Sequence, residues 1–370
     1  MTHSLVIAPQ WIGDAVMTEP LLRALSARGE QITVFAVPWV APVYRAMNHI
    51  AGLQATVDVP FQHGGLQWQA RRALATRMQS GEWGKFDRAY VLPNSLKSAL
   101  VPWLAGVPQR MGYAGEMRFG LLNQRLANPS RHERGSMVEH YLRLAGDDAA
   151  NNWVLTQAQS EATVKSGPNW LADRKPKLSI HQTAIGPAEL VPQNYTVIAP
   201  GAEFGKAKRW PIEHFASLIA ELAQSNLPVV LLGSTKDAYI CQVIRNKALR
   251  KAPAANVQDL SGKTNLADAI HIIAAAKCMV SNDSGLMHVA AAFGIPQVAI
   301  FGSSDPRHTP PLNDQAKVLW LREMDGAFKG LACSPCFKRE CPLEGAANMR
   351  CLNAITPSEV AGALAEAALR

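Results

Sequence analysis

The chain has 370 residues, 48% of them apolar and 18% charged, which suits two domains of ordinary size with real cores and excludes extensive disorder. A formal charge of +8 at pH 7 directs attention to an anionic partner, although net charge carries no information about fold. No apolar run approaches the roughly 20 residues of a membrane span, and the chain passes straight into Leu5-Val6-Ile7-Ala8, so neither a span nor a secretory leader is expected.

The first half reads as alternating strand and helix. Leu5 to Ala8 is a short apolar strand, followed by a glycine-containing turn and a helix ending near Arg28-Gly29. Pro20 sits either in the first turn of that helix or at a kink within it. Ile32 to Val37 and Arg88 to Leu92 are further strands, the second closed by Pro93-Asn94, with a helix expected from Ser95 to Leu104. Apolar runs of four to six residues bounded by turn signals fit buried parallel strands. Between Phe61 and Arg134 eleven Lys/Arg stand against four Asp/Glu, an excess that accounts for nearly all of the net charge. This stretch reads either as a solvated basic face or as the binding surface of a polyanion.

From Asn151 to Gln193 the periodicity fades and Ser166-Gly167-Pro168, Arg174-Lys175-Pro176-Lys177 and Gly186-Pro187 mark the end of one domain and a linker. A second series follows. Strands are expected at Tyr195 to Ala199, Pro228 to Leu232, Cys278 to Val280 and Pro296 to Phe301, and helices at Pro211 to Gln224, Ala238 to Leu249, Asn265 to Ala276 and Leu286 to Phe293. Thr356-Pro357-Ser358-Glu359 opens a final helix with a capping box and proline at its first position. Two such series predict an α/β chain of two doubly wound domains, with chemistry in the loops after the strands.

Several motifs are missing. No Gly-x-Gly-x-x-Gly follows the first strand, and Ser261-Gly262-Lys263-Thr264 lacks the earlier glycine of a phosphate loop, Val257 standing in its place. There is no Asp-x-Asp pair to bridge a metal to a diphosphate. Three loops remain. Gln10-Trp11-Ile12-Gly13-Asp14 brings a flexible glycine and a carboxylate to the end of strand one; on spacing alone Asp14 reads first as a helix cap. Pro200-Gly201-Ala202-Glu203-Phe204-Gly205-Lys206-Ala207-Lys208-Arg209-Trp210-Pro211 places three cations before a helix N-terminus, where the dipole disfavours them unless an anion shares the site. Ser281-Asn282-Asp283-Ser284-Gly285 offers two amides to a phosphate and a carboxylate to sugar hydroxyls, with His288 one turn on.

Together with Tyr90-Val91-Leu92-Pro93-Asn94-Ser95-Leu96-Lys97-Ser98-Ala99 and Lys208-Arg209-Trp210-Pro211, these loops make the chain resemble the ADP-heptose:lipopolysaccharide heptosyltransferases of glycosyltransferase family 9, nearest to their type II branch. The resemblance implies a GT-B fold: two Rossmann-like doubly wound domains facing across a cleft, with the C-terminal helix either on the second domain or crossing back to the first. It implies an acceptor-binding domain over residues 1–172, with or without 357–370, a linker over 173–193, and a nucleotide-sugar domain over 194–356. Asp14 and Lys208 fall on the family's catalytic positions, as general base and as the cation on the donor diphosphate. Gly13, Gly201, Ala202, Glu203, Phe204, Thr264, Asp283, Ser284, Gly285 and His288 fall on donor-binding positions, Ser284 replacing a threonine and Thr264 standing where heptosyltransferase I has methionine. Asn94, Ser95, Lys97, Arg110 and Arg118, on or near the family-like strand-end loop, are expected to meet the acceptor.

The implied reaction is inverting and needs no divalent metal or other cofactor. Heptose passes from ADP-heptose to the first heptose of heptosyl-Kdo2-lipid A, the phosphorylated inner core of lipopolysaccharide, at the cytoplasmic face of an anionic inner membrane. A different family 9 transfer, by heptosyltransferase I or III, and a GT-B sugar-nucleotide epimerase are the alternatives. No nucleic acid partner is expected, since the basic stretch carries no RRM, KH or helix-turn-helix signature. Cys333, Cys336, Cys341 and Cys351 lie within nineteen residues at a spacing that suits zinc, but are expected as reduced thiols.

Overall fold

A computed structural model of the protein describes residues 1–62, 64–130, 133, 135–146, 174–180, 190–225, 227–324 and 331–369. The expectations for 147–173 and 181–189, and for Arg131 and Arg134 in the basic stretch, lie outside the described residues. Contacts divide the chain into two units, Met1–Ser179 and Ile180–Arg370. Residues 174–179, read from the sequence as linker, are pinned to the first unit: the Lys177 amide donates to Glu19 and the Ser179 amide to the Ala46 carbonyl.

The first unit contains β1 (His3–Ile7), β2 (Gln31–Ala36), β3 (Leu53–Asp58), β4 (Arg88–Val91), β5 (Gln109–Tyr113) and β6 (Gln124–Leu126). They form one parallel sheet in the order β3-β2-β1-β4-β5-β6. Its helices are α1 (Ile12–Met17), α2 (Glu19–Ala27), α3 (Ala41–Arg45), α4 (Trp68–Gln79), α5 (Leu100–Leu104) and α6 (Met137–Leu142). The helix expected after β1 is broken at Thr18, whose buried hydroxyl turns back to donate to the Ala15 carbonyl at 2.7 Å. Pro20 lies in the first turn of α2, where its missing N–H costs no hydrogen bond. The helix expected from Ser95 starts as a 3-10 turn at Leu96–Ala99 and becomes α-helical only at Leu100.

The second unit repeats the plan. Its strands are β7 (Thr196–Ala199), β8 (Val229–Leu231), β9 (Val257–Asp259), β10 (Cys278–Asn282), β11 (Gln297–Phe301) and β12 (Ala316–Trp320), parallel in the order β12-β11-β10-β7-β8-β9. Counted within the unit this is again 3-2-1-4-5-6. The helices are α7 (Ile212–Leu222), α8 (Ala238–Lys251), α9 (Leu266–Ala274), α10 (Gly285–Ala292), α11 (Arg350–Asn353) and α12 (Pro357–Ala368). The core joins Ile198, Leu231, Val280 and Ile300 of the sheet to Phe215 and Ile219 of α7, Ile244 of α8, and Val360 and Leu364 of α12.

That packing decides the place of the C-terminal helix. α12 lies on α7 and the second sheet, so the alternative in which it crosses back to the first domain is not the one the chain adopts. Its start follows the sequence reading, with Thr356 and Glu359 forming a reciprocal capping box and Pro357 in the first turn.

In both sheets the crossovers leave the first strand in opposite directions. The loops after strands one and four of each unit therefore diverge at a topological switch point, the place where open α/β sheets receive ligands.

Candidate functional site

In the first unit the switch point lies between β1 and β4, and a cavity of about 360 Å³ opens there. Its polar lining includes Trp11, Asp14, Asn94, Ser95, Lys97 and Arg71. Asp14 does not cap a helix. The N-cap of α1 is Trp11, with no side-chain cap bond, and Asp14 is the third residue inside the helix. Its side chain points into the cavity, where Oδ1 accepts a hydrogen bond from the Tyr141 hydroxyl at 3.2 Å. Gly13 is buried within α1, on the first unit, and does not line the cavity. Asn94 and Ser95 follow β4, and the Lys97 ammonium donates to the Gly64 carbonyl at 2.6 Å while lining the same space.

Two residues expected to meet the acceptor, Arg118 and Arg110, stand outside this lining. Arg118 is 1% exposed, and its guanidinium donates to the carbonyls of Pro93 and Tyr113 and to Asn94 Oδ1 at 3.2 Å. Burial among these acceptors makes it a brace that holds the Pro93-Asn94 turn in place. Arg110 likewise spends its guanidinium on the carbonyls of Val107, Leu121 and Gly120, and neither arginine lines the cavity. The sequence placed both near the right loop but could not tell a charge facing a ligand from one tying down backbone. Tyr141 and Arg71, which do line the cavity, come from distant segments and were not singled out.

In the second unit the switch point lies between β7 and β10. Asn282, fully buried at the end of β10, ties the two loops together: Nδ2 donates to the Pro200 carbonyl at 2.7 Å and Oδ1 accepts from the Trp210 amide at 3.0 Å. This join brings Lys208 to Asp283, Nζ to Oδ2 at 2.5 Å, with Asp283 6% exposed. The Lys208 ammonium and the Arg339 guanidinium each lie 5.2 Å from the centre of the Phe204 ring. A Cβ on Gly201 would stand 2.7 Å from the Asp237 carboxyl carbon, and one on Gly205 2.4 Å from the Arg339 carbonyl, so close packing fixes both residues as glycine. Ala202 is buried, and the exposed Glu203 pairs with Lys236 at 2.5 Å.

Ser284 is the N-cap of α10, yet its side chain makes no cap bond and its Oγ is buried without a partner in the structure. Gly285 begins the helix, whose first amides are thus left uncapped. Ser303 and Ser304, after the neighbouring β11, also hold buried hydroxyls without partners. His288, one turn into α10, is buried; loss of solvent pushes its pKa down to about 4, with Asp283 opposing and Lys208 assisting that shift, so it is neutral at physiological pH. Thr264 lies apart, in the loop after the edge strand β9, its hydroxyl 3.5 Å from the Leu260 carbonyl. Sequence reading missed the joining role of Asn282 and the hydroxyls after β11, since neither follows from a local pattern.

Among the described residues no three His, Cys, Asp or Glu side chains are grouped to hold a metal ion. All four clustered cysteines are free thiols, and burial with help from the neighbouring sulfurs pushes Cys351 up to about 11. Among the described residues no helix is long and apolar enough to cross a membrane.

A family model described as glycosyltransferase family 9 (heptosyltransferase) matches residues 71–347. Lipopolysaccharide heptosyltransferase 2 of Escherichia coli K12 is 40% identical over 323 residues, covering 86% of this chain and 87% of its own. Lipooligosaccharide heptosyltransferase 2 of Haemophilus influenzae is 34% identical over 325 residues, covering 86% and 88%. Among solved structures, E. coli ADP-heptose LPS heptosyltransferase II superposes with a TM-score of 0.74 at 33% identity, over 100% of this chain and 99% of that one.

Proposed function

The chain belongs to glycosyltransferase family 9, the heptosyltransferases, and on that premise we propose that it transfers heptose from ADP-heptose to the first heptose of the lipopolysaccharide inner core. The observation that carries the reading is the pairing of two switch points. One holds a carboxylate in a cavity of sugar-sized volume, and the other holds a lysine beside the uncapped start of a helix. Acceptor binding belongs to the first, and the donor's diphosphate to the second.

In this scheme the Asp14 carboxylate accepts the proton of the acceptor hydroxyl as that oxygen attacks the anomeric carbon. The bond to ADP breaks with its electron pair on the departing phosphate, and attack from the opposite face inverts the anomeric centre. Lys208 and the first amides of α10 receive the developing charge, with Asp283 fixing the ammonium and Asn282 fixing both loops. Neutral His288 can donate or accept one hydrogen bond without adding a second cation beside Lys208. This chain's own cations take the part of a metal in the scheme; activity that disappears with EDTA and returns with magnesium would refute it.

Leu66, Trp68, Trp103, Met117 and Phe119 are exposed on the first unit, and the Arg125 guanidinium lies 4.6 Å over the Phe119 ring. This mixture of apolar and basic groups supports peripheral contact with an anionic membrane that carries the lipid-linked acceptor.

The reading is tested by ADP release from ADP-heptose with lipopolysaccharide acceptors truncated before and after the first heptose. Turnover is expected only with acceptors that carry that heptose. Turnover on Kdo2-lipid A alone would assign the chain to the type I reaction, and a new sugar nucleotide formed without acceptor would make it an epimerase.

A further inference from the structure

Arg71 departs from the other arginines of the first unit. It is the fourth residue of α4 and only 3% exposed, yet it lines the cavity that holds Asp14. Nε donates to the Leu66 carbonyl at 2.7 Å, and the guanidinium carbon lies over Phe61, 4.1 Å from the ring centre. These two contacts hold the group in place and leave its terminal nitrogens without a described carboxylate partner. By contrast Arg45 pairs with Asp58, Arg77 with Glu82 and Arg23 with Glu19. Arg110 and Arg118 turn their terminal nitrogens to backbone and amide oxygens and do not line the cavity.

A guanidinium stays charged at all ordinary pH, so a buried one that lines a cavity without an ion-pair partner is suited to an anion that arrives from outside. Among the described residues the one carboxylate in the cavity's lining is Asp14, which forms no ion pair with Arg71. Lys97 adds a second positive charge to the same lining.

We propose that Arg71, on its Phe61 platform and with Lys97 beside it, is the seat of an oxyanion carried by the acceptor. The inference rests on the first-unit cavity being the acceptor site. Its new content is that the site requires a charged substituent as well as the reacting hydroxyl, and that one planar fork reads it. A phosphate monoester on the acceptor heptose and the carboxylate of an adjoining acidic sugar present the same paired oxygens to that fork.

The test measures KM and kcat for the wild type, Arg71→Met and Arg71→Lys. Three acceptors are used: the intact phosphorylated oligosaccharide, the same after phosphatase treatment, and the same with its carboxylates converted to methyl esters. Arg71→Met is expected to raise KM for the intact acceptor by about 10- to 100-fold, the usual worth of hydrogen bonds to a buried charge, with kcat and the KM for ADP-heptose close to wild type. The penalty should vanish on whichever modified acceptor lacks the group that Arg71 holds, which identifies the source of the oxyanion. Arg71→Lys keeps the charge and loses the fork, so it is expected to fall between; it also carries the test if the methionine variant does not fold. A penalty of the same size on all three acceptors, or none on the intact one, overturns the proposal. Absence of heptose transfer by the wild type would instead refute the reading of function on which the proposal rests.

Discussion

Replacing Asp14 by asparagine separates its chemistry from its place in the fold. Asparagine is nearly isosteric and keeps an oxygen at the Oδ1 position, so the 3.2 Å hydrogen bond from Tyr141 can persist. What is lost is the ability to take a proton, together with a negative charge in the first turn of α1, where acids gain about 0.3–1 kcal/mol from the helix dipole. Unfolding free energy should therefore fall by no more than about 1 kcal/mol. The catalytic effect should be far larger. General base catalysis contributes about 10²- to 10⁴-fold, or roughly 3–5 kcal/mol of barrier. ADP release followed at saturating acceptor and donor measures it, with the KM for ADP-heptose as control, because Asp14 belongs to the first unit and Lys208 and Asp283 of the proposed donor site to the second. A kcat within tenfold of wild type, in a variant of normal stability, would refute Asp14 as the base and leave its cavity position as that of a ligand-orienting group.

Lys208→Met removes the partner of an aspartate that is 6% exposed. Since the pair keeps some access to water, a stability loss of about 2 kcal/mol is expected, below the range for fully buried pairs; kcat should fall by about 10²- to 10³-fold, and an unchanged kcat would remove the lysine from leaving-group stabilisation. Arg118→Met should act through the fold: thermal unfolding is expected to shift down by several degrees, because one buried and two partly buried acceptors lose their donor, and a variant of wild-type stability with weakened acceptor binding would support the contact role. His288 provides a pH signature. Its pKa falls from 6.5 in the unfolded chain to about 4 in the fold, so protons favour the unfolded state. The stability this group contributes is complete above pH 6.5 and is lost as pH falls toward 4, by at most about 3 kcal/mol. Chemical denaturation of wild type and His288→Gln across that window should converge toward low pH, and parallel curves would contradict a buried neutral imidazole.

The strands legible in the sequence are those buried on both faces. In the first sheet β1, β2 and β4 stand together at the centre, and in the second β7, β8, β10 and β11 do. Each reads as a short apolar run because helices cover both its faces. The strands that were not read lie toward the edges: β3, β5 and β6 in one sheet, β9 and β12 in the other. Gln109–Tyr113 carries Gln, Arg and Gly, and Leu53–Asp58 is half exposed along its length. An edge strand has less surface to hide and so leaves little periodic signal. The terminal helix was announced by its capping box, a wholly local device, whereas its docking on the second sheet depended on which apolar surface lay open to it.

The charge shows the same division. Composition alone located the excess of cations in the first half of the chain and pointed to an anionic partner. Local motifs went on to mark the loops that carry Asp14, Lys208 and Asp283, and the resemblance to family 9 turned Asp14 from a helix cap into a candidate base. Only the tertiary structure decided which cations are free to serve a ligand. Arg110 and Arg118 are turned to the carbonyls of turns that they hold, while Arg71 lines the cavity without an ion-pair partner. The reason is physical: a side chain's charge is set by its own chemistry, but its availability depends on which acceptors the rest of the fold brings to it.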